Sequence, residues 1–289
     1  MLVIPHSFPC LTEQDKINVI NCFDKQYVGY DEKVANEIEK YLRIYLSYPF
    51  INLAPSASLS LLLILKNLKI GLDDEVIISA INCWSVYNCI KLENATPVVC
   101  DVRSDCDFRA SFENINNKIT KKTKVIVITH MYGLLIEEEV IRKIKGKYPH
   151  VAIIEDFSTS LFSKKDFQIG RYSDFGIGSF GSTKPLTAGI GGVLCSQKKI
   201  LDPHYDKLQD KHITFNIQIS RLNQMLLLSQ LKSYDNYQII KKSLVQFYNK
   251  FVSIYSDDYV KVDLFRAISF KNPQKLIKKL TKENIELDI

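Results

Sequence analysis

Short apolar runs alternate with amphipathic stretches along the first two-thirds of the chain. The runs at 50–53, 76–78, 97–101, 125–129 and 151–154 are rich in Val and Ile and are bounded by polar or turn residues. Such runs read as strands buried on both faces. Between them, 59–68, 81–92, 110–119 and 137–147 carry helical patterns. Upstream, Val34, Ile38, Leu42 and Tyr45 share one face of a helix over 31–46, and Asp31 can cap its start. Strand and helix alternate five times, which predicts an α/β fold with a mostly parallel central sheet and helices on both faces. Two more strands, 175–180 and 192–195, flank a glycine-rich turn. The last quarter changes character: a long helical stretch over 220–253, a strand-like 259–270, a helix over 273–282 and a short end at 285–289. The pattern predicts a large α/β domain over 1–212, with an N-terminal arm, then a long helix and a small, reduced C-terminal α/β lobe over 213–289.

Ligands of open parallel sheets bind beyond the carboxyl ends of the strands. Ser56-Ala57-Ser58, residues 81–84, His130 and Asp156 all fall just past predicted strand ends, so they should converge on one rim. The first is a strand, a turn of small residues and a helix N-terminus. That arrangement binds phosphate, or is simply a Ser-capped helix. The glycine-rich turn, Ser179 to Gly192, holds a single lysine, Lys184. Pro185 keeps Lys184 out of the helical region, and the glycines let the chain turn and pass close to a bulky neighbour. A lysine amine for a Schiff base and a carboxylate for a pyridinium nitrogen are what pyridoxal phosphate (PLP) requires of a protein. The competing reading is a solvated lysine in a turn and an aspartate capping the next helix.

Composition narrows the field. A chain of 289 residues with 46% hydrophobic residues can bury a large core. Its formal charge of +6 comes from scattered rather than clustered lysines, a balance that suits a phosphorylated substrate, and no nucleic-acid-binding motif is present. Seven cysteines, an odd number without CxxC spacing, sit mostly in apolar runs, as buried thiols of a reducing compartment do. With neither a signal segment nor an apolar run of membrane-span length, a cytoplasmic protein with no membrane partner is expected. No metal is expected.

Taken together, these residues resemble the DegT/StrS-type family of PLP-dependent sugar aminotransferases, which have the aspartate-aminotransferase (type I) fold. Ser56-Ala57-Ser58 stands where that family has a Ser-Gly-Thr phosphate turn. Asp74-Glu75-Val76-Ile77, Ala95-Thr96-Pro97-Val98 with Asp101, and His130-Met131-Tyr132-Gly133 resemble its strand-entry and His-x-x-Gly motifs. Glu155-Asp156-Phe157-Ser158-Thr159 stands where it has Glu-Asp-Ala-Ala-Gln. Asp174 to Phe180 and the Lys184 to Gly192 turn resemble its lysine block, and Phe215-Asn216 its Tyr-Asn.

The resemblance implies roles. Lys184 would form the Schiff base and then act as acid and base, and Asp156 would pair with the pyridinium nitrogen. Ala57, Ser58 and Ser179 would hold the phosphate, joined by Asn216 across a homodimer interface. Thr159 would lie near the cofactor hydroxyl, and Cys83 or Trp84 would contact the ring. His130 would lie nearby, or serve as a hydrogen-bonded core histidine. Glutamate would be the donor and a nucleotide-linked keto-sugar the acceptor. The retained lysine argues against the family's sugar dehydratases. Four departures stand out: Ala57 replaces a glycine, Thr159 a glutamine, and Gln218 an arginine, and the C-terminal part is short. They sustain an alternative, an impaired or truncated member that binds PLP or only dimerises as a scaffold or regulator.

Overall fold

The structure, a computed structural model, describes residues 11–24, 27–104, 107–161, 167–199, 218–235, 243, 259–260 and 269–270. Two helices open it, α1 (Glu13–Asp24) and α2 (Glu32–Leu42). There follow β1 (Phe50–Ala54), α3 (Ala57–Asn67), β2 (Glu75–Ser79), α4 (Trp84–Leu92), β3 (Thr96–Cys100), α5 (Phe112–Asn116) and β4 (Thr123–Thr129). After a single 3-10 turn at Met131–Gly133 come α6 (Glu138–Lys147), β5 (Ala152–Asp156), β6 (Phe175–Ser179), β7 (Gly192–Ser196) and α7 (Arg221–Lys232).

Seven strands form one sheet in the order β1-β7-β6-β5-β4-β2-β3. All its neighbouring pairs are parallel except those of β7, which runs antiparallel to both β1 and β6. The predicted mostly parallel sheet is therefore present, made mixed by β7, with each strand within two residues of its apolar run. Alternation along the strands sorts side chains between two faces. Ile154, Ile177 and Leu194 pack with Leu61 and Ile64 of α3 and with Val86 and Ile90 of α4. On the other face, Phe157, Val193 and Cys195 pack with α2 and α7, and Ile126 and Ile153 pack with residues of α5 and α6.

Local chemistry accounts for the element ends. Asp31 caps α2 as expected, its carboxylate accepting the Lys33 and Val34 N–H groups at 3.0 and 3.2 Å. The helix expected over 81–92 instead begins at Trp84. Cys83 is extended, and its N–H is taken by the Asn82 side chain at 2.8 Å, so residues 81–83 form a loop. The helix expected over 110–119 is held to Phe112–Asn116 behind the Ser111 cap. The long helix expected over 220–253 is described as α7 up to Lys232, with Ser233 at its C-cap. Within the strand-like 259–270 the described residues are two short antiparallel strands, β8 (Tyr259–Val260) and β9 (Ser269–Phe270). The boundary expected near 212, the rest of the C-terminal lobe and Asn216 lie outside the described residues. No described helix is long and apolar enough to cross a membrane.

Candidate active site

The carboxyl rim is built by register. Ala54 of β1 pairs with Gly192 of β7, and Gly192 pairs with Ser179 of β6. Thr129 of β4 pairs with Asp156 of β5, and Asp156 with Ile177 of β6. Counting in twos from Ile154, Ile177 and Leu194 puts Asp156, Ser179 and Gly192 on the face that α3 and α4 cover. Their loops therefore open on the same side of one rim.

The α3 N-terminus closes one end of this row. Ser56 is its cap, with a hydroxyl that accepts the Leu59 N–H at 3.1 Å. The Ala57 and Ser58 N–H groups have no acceptor among the described residues, which leaves two aligned donors at the positive end of the helix. Gly192 lies against this turn. A Cβ there would overlap the Ser56 carbonyl carbon and the Ala57 nitrogen, so the glycine permits the lysine turn to touch the helix N-terminus. Behind the turn, the Cys89 thiol meets the Ser58 carbonyl at 3.5 Å, and burial pushes its pKa up to about 11. That thiol is a packing group.

Lys184 sits in a loop closed at its base. Ala188 N–H donates to the Phe180 carbonyl and Phe180 N–H to the Gly191 carbonyl, both at 2.8 Å, while Lys184 N–H donates to Gly181 at 3.0 Å. Gly189 takes a positive φ of 74°. The Lys184 ammonium makes no hydrogen bond or ion pair to any described residue, although the side chain is half-buried. Asp156 is 6% exposed, and one carboxylate oxygen accepts the Ser158 N–H at 2.9 Å. Its other oxygen has no described partner. Ser179 Oγ accepts the Gly181 N–H at 3.3 Å and keeps its own proton to give.

The neighbouring carboxylate behaves in the opposite way. Glu155 points through the other face, 1% exposed, and both its oxygens are engaged. Oε1 accepts Gly170 N–H at 2.8 Å and the Ser173 hydroxyl at 2.5 Å, and Oε2 meets His130 Nε2 at 2.9 Å. The Ile136 N–H donates to His130 Nδ1 at 3.0 Å, which makes Nδ1 the acceptor and Nε2 the donor to Glu155. The Tyr48 hydroxyl completes the cluster at 2.6 Å from Ser173. Burial first, and Glu155 second, keep that phenol neutral far above its ordinary range. The structure thus places His130 behind the sheet with both ring nitrogens engaged, the core-histidine arrangement. Thr159 is also occupied locally: its hydroxyl donates to the His130 carbonyl and accepts the Tyr132 N–H.

Cys83 is exposed, and Trp84 is 78% exposed with its ring edge-to-face on Tyr87 at 6.1 Å. A residue that sequence reasoning missed stands beside them. Asn82 Nδ2 donates at 3.0 Å to Thr129 Oγ1, which pins the β2–α4 loop in front of the strand position next to Asp156. A lone amide directly after a buried strand is the signal that could have found it.

An open α/β sheet with a lysine turn between a parallel and an antiparallel strand, packed against a helix N-terminus on the rim where a buried aspartate ends the next strand, is the architecture of the type I PLP-dependent transferases. Two solved structures share the fold. Helicobacter pylori PseC, an aminotransferase involved in the biosynthesis of pseudoaminic acid, superposes with a TM-score of 0.80 at 20% identity, over 98% of this chain and 83% of that one. NtdA from Bacillus subtilis with bound cofactor PMP superposes with a TM-score of 0.75 at 19% identity, over 94% and 66%. In sequence, the chain is 28% identical to the GDP-perosamine synthase of Escherichia coli O157:H7 over 268 residues, 86% of this chain and 71% of that protein. The chain belongs to the DegT/DnrJ/EryC1/StrS aminotransferase family, which it matches over residues 9–287. With that membership come the class, PLP-dependent aminotransferase, and its cofactor. The residues present fit that cofactor: unpaired donors at a helix N-terminus, an unengaged lysine and a half-satisfied buried aspartate.

Proposed function

We propose that this chain transfers an amino group from glutamate to a nucleotide-linked keto-sugar, within amino-sugar and polysaccharide synthesis. The observation that carries the reading is the Lys184 ammonium, without a partner among the described residues, in the turn that joins Ser179 to Gly192, strand ends that share a rim and face with Asp156 and lie against the α3 N-terminus. The names of relatives, a GDP-perosamine synthase and a pseudoaminic-acid aminotransferase, support the sugar. The net charge of +6 suits a phosphorylated one.

Bound PLP would supply the electron sink that lets a proton leave the amino-bearing carbon. The remaining work falls to the chain's own residues. Lys184 Nζ takes that proton and returns it, a task for which partial desolvation of a lysine amine is suited. The free Asp156 oxygen accepts a hydrogen bond from a protonated ring nitrogen and keeps it charged. Ala57 and Ser58 N–H and the Ser179 hydroxyl hold the phosphate. His130 and Thr159 brace the β4 and β5 ends. The exposed Cys83 and Trp84, with Asn82, border the ring side. A cytoplasmic homodimer belongs to the same proposal, with Asn216 as the residue reaching between subunits.

The test is the visible spectrum of the purified protein with added PLP, before and after glutamate, beside Lys184→Ala. A band that glutamate bleaches and the variant lacks is expected, followed by amination of a nucleotide-linked keto-sugar read by mass. A band unchanged in Lys184→Ala overturns the lysine assignment. A band that ignores glutamate overturns the donor.

A further inference from the structure

The lysine turn is held from outside the sheet by a helix that contributes nothing to the rim itself. Two polar side chains of α7 reach it. Gln230 Oε1 accepts the Thr187 N–H at 2.9 Å, and Asn223 Nδ2 donates to the Ala188 carbonyl at 2.6 Å. Gln230 is 2% exposed, and Thr187 and Ala188 are buried with it. The Thr187 hydroxyl in turn accepts the Gly189 N–H at 2.8 Å. The turn is thus gripped at consecutive residues by one acceptor and one donor.

Both gripping side chains are themselves fixed. Asn223 Oδ1 accepts the Ser220 hydroxyl at 2.6 Å, at the cap of α7. Gln230 Nε2 lies 3.5 Å from the Asp15 carboxylate of α1, which also holds the Thr12 N–H and hydroxyl at 2.8 and 2.9 Å. Asp15 is 1% exposed. Nearer the start of α7, Gln224 Oε1 accepts the Asp31 N–H at 2.9 Å, and Arg221 lies 3.4 Å from the Asp31 carboxylate. A polar seam therefore runs through an otherwise apolar helix interface, from α1 and α2 across α7 to the lysine turn. A buried amide is costly when unpaired, so Gln230 and Asn223, each bonded through both amide atoms, favour one placement of α7 against the turn.

Only Pro185 and Leu186 separate Lys184 from the gripped residues, and the proline ring fixes one of those dihedrals. Displacement at Thr187 is thereby passed to Lys184 with little slack. We infer that Gln230 and Asn223 are positioning residues that set the reach of the Lys184 amine. This rests on the proposed role of Lys184, and it extends that role to a helix seventy residues from the active aspartate. A misplacement of 1 Å at a reacting group costs roughly 10²-fold in rate.

The experiment uses the full chain and two variants. Asn223→Asp is isosteric and replaces the donor to Ala188 with an acceptor. Gln230→Met keeps the volume and removes the acceptor for Thr187. The first readout needs no cofactor: amide hydrogen exchange at Lys184, whose N–H is bonded within the turn rather than to α7. Faster exchange there in both variants, with the rest of the sheet protected as in the wild type, is expected. The second is the single-turnover rate of glutamate bleaching and the pH midpoint of the lysine-linked visible band. A drop of roughly ten- to a hundredfold in rate and a shifted midpoint are expected, with unchanged PLP binding. Asn223→Gln, which can still donate, should recover part of the loss. Unchanged Lys184 exchange, or a wild-type rate and midpoint in both variants, overturns the inference. Because exchange is read without cofactor, a failure of the lysine assignment itself, seen as a band that Lys184→Ala retains, stays separate from it.

Discussion

Glu155 and Asp156 are adjacent carboxylates at the end of the same strand, and they live in opposite conditions. Glu155 is saturated: a hydroxyl, a backbone N–H and an imidazole use its oxygens, and nothing reaches it from solvent. Asp156 keeps one oxygen unengaged while almost as buried. The sheet face decides between them. Glu155, on the rear face, meets its partners within the protein, and Asp156, on the front face, keeps an oxygen for something that arrives later. An unsatisfied buried acid is costly. A carboxylate that keeps an oxygen open at the rim leaves room for a ligand, whereas one whose oxygens are both engaged serves packing.

Four measurements break or sharpen this contrast. Lys184→Ala should lower the glutamate half-reaction by about 10⁴-fold, the upper end for loss of an acid–base group, with the melting temperature held, because the ammonium has no partner among the described residues to lose. Glu155→Leu should do the reverse. It leaves Gly170 N–H, the Ser173 hydroxyl and His130 Nε2–H without their acceptor and should cost about 3 to 5 kcal/mol of stability by denaturant titration, since each buried donor left unsatisfied costs about 1 to 3 kcal/mol. Asp156→Asn should cost about 10²-fold in the half-reaction, equivalent to ~3 kcal/mol, while stability stays near wild type. Should Asp156→Asn instead unfold the protein, the front face would be as structural as the rear. Ser56→Ala is the smallest. It removes the α3 cap and should lower stability by about 1 kcal/mol, with weaker PLP binding read by titration of the visible band.

The sequence pattern made the strands legible because each buried run is bounded by residues that cannot continue it. Val125 to Thr129 and Phe175 to Ser179 are examples. It made Lys184 a candidate because a single lysine stands among glycines and a proline, a setting that a solvated lysine in a turn would share. What stayed hidden depends on direction and register. A five-residue apolar run such as β7 does not say which way it points, and only pairing reveals that it is antiparallel. His130 reads equally as a ligand or a core residue until its two ring nitrogens are seen to be taken. The start of α4 was misjudged because Ile81 and Cys83 look helical, whereas the Asn82 side chain claims a backbone donor and holds the loop open. Asn223 and Gln230 carry no local signal at all, since their partners lie some forty residues away in sequence.

The reversed strand also has a bearing on how the chain comes to exist. β1 is an edge strand with one sheet neighbour, β7, which lies about 140 residues further on. During synthesis β1 emerges early and then waits, its apolar side chains and backbone groups without the neighbour they need, until Ser196 has left the ribosome. Pairings of such long sequence separation form slowly and leave strand edges open to other chains. The insertion of β7 is then a late, cooperative event that finishes the sheet. In the same stroke it brings the lysine turn against the α3 N-terminus, so the nascent protein acquires its last structural strand and its candidate cofactor cradle together.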